Sequence, residues 1–248
     1  MKTGIHGELI QIHNLSFAYE RGEPILSDIS LVVRDGESVG LIGSNGIGKS
    51  TLMKLMVGLY PDFEGELVMA HHEIRPENLN HIREHVGYVF QDSDSQLFLS
   101  TVEQDVAFGP QNYGLSEEDV EERVADALRM VHIENLRKKS NYKLSGGEKK
   151  LSAIATILAM KPDIILMDEP SIALDPRNRR NLIHILNEIP ALKLIASHDL
   201  DFILDTCPRT ILLDEGRIIA DGDTATLLRD KKLLEAHGLE LPLRYYYG

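Results

Sequence analysis

This 248-residue chain lacks the features of a disulfide-stabilised or membrane-spanning protein. It contains one cysteine, Cys207, which excludes an internal disulfide, fits a reducing compartment and is expected to be structural. No apolar run approaches the roughly 18 residues that a membrane span needs. The N-terminus also lacks the charged-then-apolar pattern of a signal sequence. We therefore expect a cytoplasmic protein, or one held at a membrane through a partner.

Positive charge is also scarce. The chain has 26 Lys and Arg against 39 Asp and Glu, a formal net charge of −13. Its basic residues cluster only weakly, at Arg137-Lys138-Lys139 and between Arg177 and Arg180. Because nucleic acid and anionic lipid attract basic surfaces, this balance predicts that neither is a non-specific partner.

The most informative stretch runs from Gly43 to Thr51 and fits the pattern G-x-x-x-x-G-K-[ST]. Its residues are Gly43, Ser44, Asn45, Gly46, Ile47, Gly48, Lys49, Ser50 and Thr51. An apolar run suited to a buried strand precedes it, and apolar residues at helical spacing follow it. A strand that feeds a glycine-rich turn into a helix N-terminus forms a phosphate cradle. Lys49 would then reach the β- and γ-phosphates, and the Ser50 hydroxyl would ligate Mg²⁺.

Two other interpretations of this stretch are disfavoured. A plain glycine-rich turn would not require the lysine, the hydroxyl, the strand and the helix together. A dinucleotide fingerprint is excluded because glycines at positions 43, 46 and 48 do not make G-x-G-x-x-G.

Polar residues follow three further strand-like runs. Gln91 follows the run 86–90, Asp168 and Glu169 follow 164–167, and His198 follows 192–196. Parallel α/β sheets place their ligand-binding groups at this end of their strands. Paired buried carboxylates are costly unless a cation or a reaction uses them, so we expect Mg²⁺ on Asp168 and a polarised water on Glu169. A lone histidine is usually structural, but the shared sheet edge favours a functional role for His198.

A second glycine-rich helix start lies at Leu144-Ser145-Gly146-Gly147-Glu148. It could be a simple N-cap. A cap needs only the serine, however, so the two glycines indicate close approach of another group to the backbone. Strand signals stop between residues 92 and 143, where a helix beginning at Ser116 predicts an inserted helical lobe.

Two aromatic or histidine features have open interpretations. Tyr19 could stack on adenine just upstream of the phosphate cradle, or it could be an ordinary loop residue. His71, His72, His81 and His85 could bind a metal. His81 and His85 share a helical face, but no cysteine or carboxylate spacing completes a ligand set, so we favour a solvated surface.

Taken in order, these motifs resemble the ATPase subunits of ABC transporters over residues 8 to 240. By that resemblance Tyr19 stacks on adenine, Gly43 to Thr51 form the Walker A loop, and Gln91 is the Q-loop glutamine. The signature that contacts ATP in trans consists of Leu144, Ser145, Gly146, Gly147 and Glu148. Residues 164–168 are Walker B, the D-loop contains Ala173, Leu174 and Asp175, and His198 is the switch histidine. The resemblance also implies catalytic roles for Lys49, Glu169 and His198, and Mg²⁺ ligation by Ser50, Gln91 and Asp168.

The implied fold is α/β: a P-loop NTPase core with a mixed sheet, an N-terminal antiparallel β subdomain and an inserted α-helical subdomain. We expect one domain over residues 1–248, with the core and β subdomain at 1–91 and 144–240 and the lobe at about 92–143. Leu151 departs from the arginine that many relatives carry after the signature. Ser171-Ile172-Ala173 departs from the usual D-loop sequence. Signature-helix contacts and D-loop packing are therefore open.

The resemblance implies a subunit that binds ATP and Mg²⁺ and powers transport. Short strings around Gln91 and residues 102–110 resemble the cobalt and energy-coupling-factor importers, which suggests a metal ion or vitamin-like micronutrient as cargo. The implied partners are a membrane-spanning subunit and a second copy or paralogous ATPase in an ATP sandwich, at the inner face of the cell membrane. The alternative is a non-transport clamp on a soluble partner, which the single P-loop, single signature and lack of a basic tract disfavour. Leu97, Phe98 and Leu99 would couple to the membrane partner, or else pack the lobe onto the sheet.

Overall fold

The computed structural model describes residues 5–19 and 24–246. The strands are β1 (Glu8–Phe17), β2 (Leu26–Arg34), β3 (Ser38–Ile42), β4 (Glu64–Met69), β5 (His72–Glu73), β6 (Val86–Val89), β7 (Ile164–Asp168), β8 (Leu192–Ala196), β9 (Arg209–Asp214) and β10 (Arg217–Asp223). The helices are α1 (Lys49–Met56), α2 (Leu79–His85), α3 (Val102–Asn112), α4 (Glu117–Met130), α5 (Gly146–Leu158), α6 (Pro176–Glu188), α7 (Leu200–Thr206), α8 (Thr224–Leu227) and α9 (Lys231–Ala236).

The strands form two sheets. An antiparallel sheet has the order β2-β1-β4-β5, and a second sheet has the order β10-β9-β3-β8-β7-β6. In the second sheet β9, β3, β8, β7 and β6 run parallel, and only β10 is antiparallel. This arrangement confirms the expected mixed sheet with a separate N-terminal antiparallel layer.

The central parallel strands are buried on both faces. Every residue of β6, β7 and β8 is buried, as expected for strands that lie between two layers. Their carboxyl ends therefore meet at one edge of the sheet, beside the end of β3. The sequence predicts functional residues at those strand ends: Gln91, Asp168, Glu169 and His198.

The segment between β6 and β7 is helical, as expected. Ser116 caps α4 by accepting a hydrogen bond from the Asp119 N–H at 3.1 Å. The buried residues Val120, Val124 and Leu128 of α4 join the same hydrophobic cluster as Ile165 and Met167 of β7. The lobe thus shares a core with one face of the parallel sheet. Its boundaries near residues 92 and 143 remain predictions.

Within the described residues, none of the helices combines the length and apolarity that a bilayer crossing requires.

The weak basic clusters are largely engaged in internal ion pairs. Arg137 pairs with Glu103 and Glu121, each at 2.5 Å. Lys139 contacts Glu148 at 2.8 Å, and Arg179 contacts Asp199 at 2.9 Å. These side chains therefore fix helices to one another and contribute less to an external basic surface.

Cys207 is buried at the end of α7, which agrees with a structural role. Burial raises the pKa of its thiol to about 12. Only the thiolate reacts readily, so we expect native protein at pH 8 to react with a maleimide at least about a hundredfold more slowly than denatured protein. Mass spectrometry of labelled protein measures both rates. Equal rates with and without denaturant would contradict the buried environment.

Candidate nucleotide site

The loop between β3 and α1 has the backbone of a phosphate cradle. Gly43, Gly46 and Gly48 have φ of 150°, 80° and 108°, a region that side-chain-bearing residues rarely adopt. A Cβ on Gly43 would lie 2.2 Å from the Leu213 carbonyl oxygen, so the approach of β9 also requires glycine there. Gly48 begins α1 without a side-chain cap. The first N–H groups of α1 are thus left for an anion, which the helix dipole also favours.

Lys49 is buried, and its ammonium bridges the loop. Its Nζ donates to the Gly43 carbonyl at 2.6 Å and to the Ser44 carbonyl at 2.9 Å. Burial lowers the pKa of Lys49, while the negative charges of Glu169 and Asp168 oppose that effect. The Lys49 ammonium thus lies in the cavity wall near both carboxylates.

Asp168 and Ser50 form the oxygen-rich wall of the site. Asp168 is 2% exposed and hydrogen-bonds with the Ser50 hydroxyl. The Tyr88 hydroxyl donates to Asp168 Oδ2 at 3.4 Å. Burial raises the pKa of Asp168, and the adjacent Glu169 charge adds to this rise, although hydrogen bonds oppose it. A hydroxyl and a carboxylate with a side-chain amide, Gln91, in the same cavity form the hard oxygen donor set that Mg²⁺ prefers.

Glu169 follows β7 with a strained backbone. Its φ of 49° lies in the left-handed region, which costs a non-glycine residue about 1–2 kcal/mol. The carboxylate accepts hydrogen bonds from the Ser197 hydroxyl at 3.2 Å and from the His198 N–H at 3.1 Å. His198 Nδ1 lies 2.8 Å from Glu169 Oε2. The turn after β8 therefore orients the carboxylate that the sequence predicts to act on water.

These groups surround one cavity of about 330 Å³. Its lining residues are Asn45, Gly46, Gly48, Lys49, Ser50, Thr51, Gln91, Asp168, Glu169, Ile172 and His198. The structure therefore brings together the P-loop, Gln91, both carboxylates and His198, as the sequence predicted.

Tyr19 lies beside this cavity rather than in its wall. Its hydroxyl hydrogen-bonds with Thr51 Oγ1 at 2.8 Å, and its side chain is 51% exposed. The ring packs edge-on against Phe17 and Tyr60, with centroids 5.1 and 5.2 Å away. Adenine stacking by Tyr19 stays a prediction, and the contact with Thr51 places the ring next to the phosphate cradle.

The second glycine-rich helix start lies outside the cavity. Ser145 caps α5 and forms a reciprocal capping box with Glu148. A Cβ on Gly146 would lie 3.4 Å from Ala173 Cβ, and one on Gly147 would lie 3.4 Å from the Ala173 carbonyl. The two glycines thus lie against the segment that begins α6, where Asp175 is the N-cap. Among the described lining residues, none comes from 144–148.

Sequence reasoning did not identify Lys150 as part of the site. Lys150 is 2% exposed on α5, and its Nζ donates to the Phe90 carbonyl at 3.1 Å and to the Gln91 carbonyl at 2.7 Å. It therefore ties the signature-like helix to the segment that carries Gln91. A lysine on the buried side of an amphipathic helix is the one sequence signal that could have shown this. Leu151, one of the departures noted above, packs in the core.

The expected solvated surface holds for His71 and His81, which are exposed, but it is wrong for His85. His85 is buried, with 6% of its surface exposed. Glu84 joins His81 and His85 in one cluster, so a carboxylate does complete a possible ligand set. The spacing of Glu84 after His81 is visible in the sequence, whereas the burial of His85 depends on where α2 packs.

The fold and the cavity define a P-loop ATPase. A family model described as ABC transporter matches residues 26–172. The chain therefore belongs to the ABC transporter family. It is 45% identical to a putative ABC transporter ATP-binding protein of Gloeobacter violaceus, over 95% of this chain and 98% of the relative. It is 41% identical to the energy-coupling factor transporter ATP-binding protein EcfA of Carboxydothermus hydrogenoformans, over 94% and 87% of the two chains.

Solved structures show the same likeness. CbiO1 of Clostridium perfringens, part of the ABC transporter complex cbiONQ, matches with a TM-score of 0.82 and 32% identity, over 92% of this chain and 94% of that one. The dimeric ATP-binding cassette MJ0796 in a post-hydrolysis state, bound to ADP and Pi, matches with a TM-score of 0.79 and 26% identity, over 87% and 98%.

Proposed function

We propose that this chain binds and hydrolyses MgATP to power an energy-coupling-factor type importer of a metal ion or vitamin-like micronutrient. The observation that carries the proposal is the convergence of Lys49, the Ser50–Asp168 pair and Glu169 on one cavity. The kinship with EcfA and CbiO1 supports the importer type. A peripheral position on the inner face of the cell membrane follows from that type.

The chain's own groups supply most of the chemistry. The first N–H groups of α1 and the Lys49 ammonium hold the β- and γ-phosphates and offset the charge that develops on them. Mg²⁺ would be held by Ser50, Asp168 and Gln91. When bound there, the ion would neutralise part of the negative charge of the phosphates. Glu169 orients the attacking water or takes its proton. His198 Nδ1 lies 2.8 Å from that carboxylate, and this contact supports a role for His198 in sensing the γ-phosphate.

The exposed face of the lobe is the proposed contact with the membrane subunit. Phe98 is 62% exposed and Phe108 is 41% exposed, and their rings meet edge-on with centroids 4.9 Å apart. Beside them α3 and α4 enclose an open groove of about 730 Å³, whose lining includes Glu103 and Glu121, both paired with Arg137. Leu97 differs, since it is buried in the core, so the packing alternative holds for Leu97 and the coupling role is proposed for Phe98.

Co-purification from membranes tests the proposed function. A tagged copy extracted from its native membranes in mild detergent should retain a multi-span membrane protein as its main partner. Recovery of a soluble partner alone would overturn the proposal in favour of the clamp alternative.

Replacing Phe98 with Ala should lower recovery of the membrane subunit at least about tenfold, because a central aromatic anchor often carries much of an interface's energy. ATP binding and the ATPase activity of the isolated chain should remain near wild type, since Phe98 is not among the residues that line the nucleotide cavity. Tyr142→Ala removes a more exposed ring, at 79%, and is the matched control. Equal recovery for both variants would contradict the docking role.

A further inference from the structure

Helix α2 carries three metal-ligating side chains on one face. His81, Glu84 and His85 have the spacing i, i+3, i+4, which places them on neighbouring turns of the same side. One potential ligand atom from each lies within 4.8 Å of the others. A tetrahedral Zn²⁺ site with bonds of 2.0–2.1 Å needs ligand atoms about 3.3 Å apart. The exposed His81 and half-buried Glu84 can close that difference by small rotamer changes.

His85 is oriented as a metal ligand would be. Its Nδ1 lies 2.6 Å from Asp163 Oδ2, at the start of β7. A carboxylate can only accept when ionised, so the neutral imidazole carries its proton on Nδ1 and its lone pair on Nε2. Metal-binding histidines almost always donate their second nitrogen to such a carboxylate or carbonyl, which fixes the ring and raises its basicity.

A third imidazole lies beside the cluster from another element. His72 of β5 has its ring centroid 4.3 Å from that of His81, and the centroids of His81 and His85 are 4.9 Å apart. His72 Nδ1 lies 2.9 Å from the Ala70 carbonyl, which must accept. The lone pair of neutral His72 is therefore also on Nε2. His72 and His85, from separate elements, are thus held in the same tautomer, and each ring packs against the ring of His81.

We propose that His81, Glu84 and His85 bind one divalent transition-metal ion of the Zn²⁺, Ni²⁺ or Co²⁺ class. Imidazole suits these ions, whereas Mg²⁺ and Ca²⁺ prefer sites made entirely of oxygen ligands. The proposed site is therefore chemically distinct from the nucleotide site. Nothing in the ATPase mechanism uses these residues, so the proposal stands apart from the proposed function.

The position of the cluster links two parts of the fold. α2 continues without a loop into β6, whose far end leads to Gln91. Glu84 also lines a cavity with Tyr113 and Arg123 of the helical lobe. An ion bound here would brace the C-terminal half of α2 at the border between the sheet and the lobe.

Binding of Zn²⁺ to the untagged, chelator-treated full chain tests the proposal, in the absence of nucleotide and with excess Mg²⁺ to block oxygen-only sites. Equilibrium dialysis should show one Zn²⁺ per chain. His81→Ala and Glu84→Gln should each weaken binding at least about tenfold, and Asp163→Asn about 10–100-fold, because the carboxylate that accepts from His85 Nδ1 is lost. Bound Co²⁺ should give the visible absorption of a low-coordinate site in the wild type but not in His81→Ala or Glu84→Gln.

His184→Ala is the matched control, because His184 is also an exposed helical histidine. It should retain wild-type Zn²⁺ affinity. Zn²⁺ should also raise the melting temperature of wild type and His184→Ala but not of His81→Ala. Buried His85 is left intact so that folding does not confound the result. Failure to bind Zn²⁺, or equal binding by His81→Ala, Glu84→Gln and the control, would overturn the site, and neither result would bear on the ATPase.

Discussion

Replacing Glu169 with Gln should lower steady-state ATP hydrolysis by about 10²–10⁴-fold, the contribution of a positioned general base. The structure places this carboxylate in the cavity with Lys49 and Asp168. Ser197 and the His198 N–H hold it in one orientation. A glutamine amide keeps an oxygen that can accept from that N–H, but it cannot take a proton from water. ATP binding should therefore survive while turnover is lost.

Single-turnover and steady-state phosphate release, with ATP affinity measured separately, check this result. Glu215→Gln is the matched control, because Glu215 also has a left-handed backbone, with φ of 45°, but lies exposed in the turn between β9 and β10. The control should hydrolyse ATP at the wild-type rate. Activity of Glu169→Gln within twofold of wild type would remove Glu169 from the reaction.

The elements that local sequence determines were predictable. Gly43, Gly46 and Gly48 sit in left-handed backbone because the loop between β3 and α1 requires it, and that requirement is visible in the spacing of the motif. The polar residues after β6, β7 and β8 meet at one edge because parallel strands share a direction. Strand order did not have to be known for that conclusion.

Contacts between distant segments were not predictable. Lys150 bonds to the Phe90 and Gln91 carbonyls about 60 residues earlier in the chain. His85 bonds to Asp163, 78 residues later. A single sequence gives the residue types but not which helix face packs on which strand end. The same limit explains why the sequence did not show which of the adjacent residues Leu97 and Phe98 is buried. Leu97 is buried and Phe98 is exposed.

MgATP should convert the Glu169→Gln protein from monomer to dimer. In this chain Ser145 and the start of α5 lie outside the cavity that holds the P-loop. A two-fold arrangement would let each α5 start close the cavity of the other copy, so one self-complementary surface would give two ATP sites. The similar cassette MJ0796 is dimeric in its structure with ADP and Pi, which supports a dimer.

Charge opposes closure, so the dimer should depend on both nucleotide and salt. Each chain has a net charge of −13, and each nucleotide adds negative charge. Lys49, the helix N-termini and Mg²⁺ offset part of that repulsion, and moderate salt should screen much of the rest. We therefore expect light scattering to show a dimer with MgATP, more of it at moderate than at low salt, and mostly monomer with MgADP.

Adding Ser145→Arg should abolish this dimer, because the long cationic side chain would fill the space in front of α5 and remove its cap. Ser116→Arg is the matched control. Ser116 caps α4 through the same kind of bond, to the Asp119 N–H, so its replacement costs a similar cap of about 1 kcal/mol at a helix start away from the cavity. The control should still dimerise with MgATP. A dimer that forms equally without nucleotide, or that persists in Ser145→Arg as well as in Ser116→Arg, would exclude a shared ATP site for this chain.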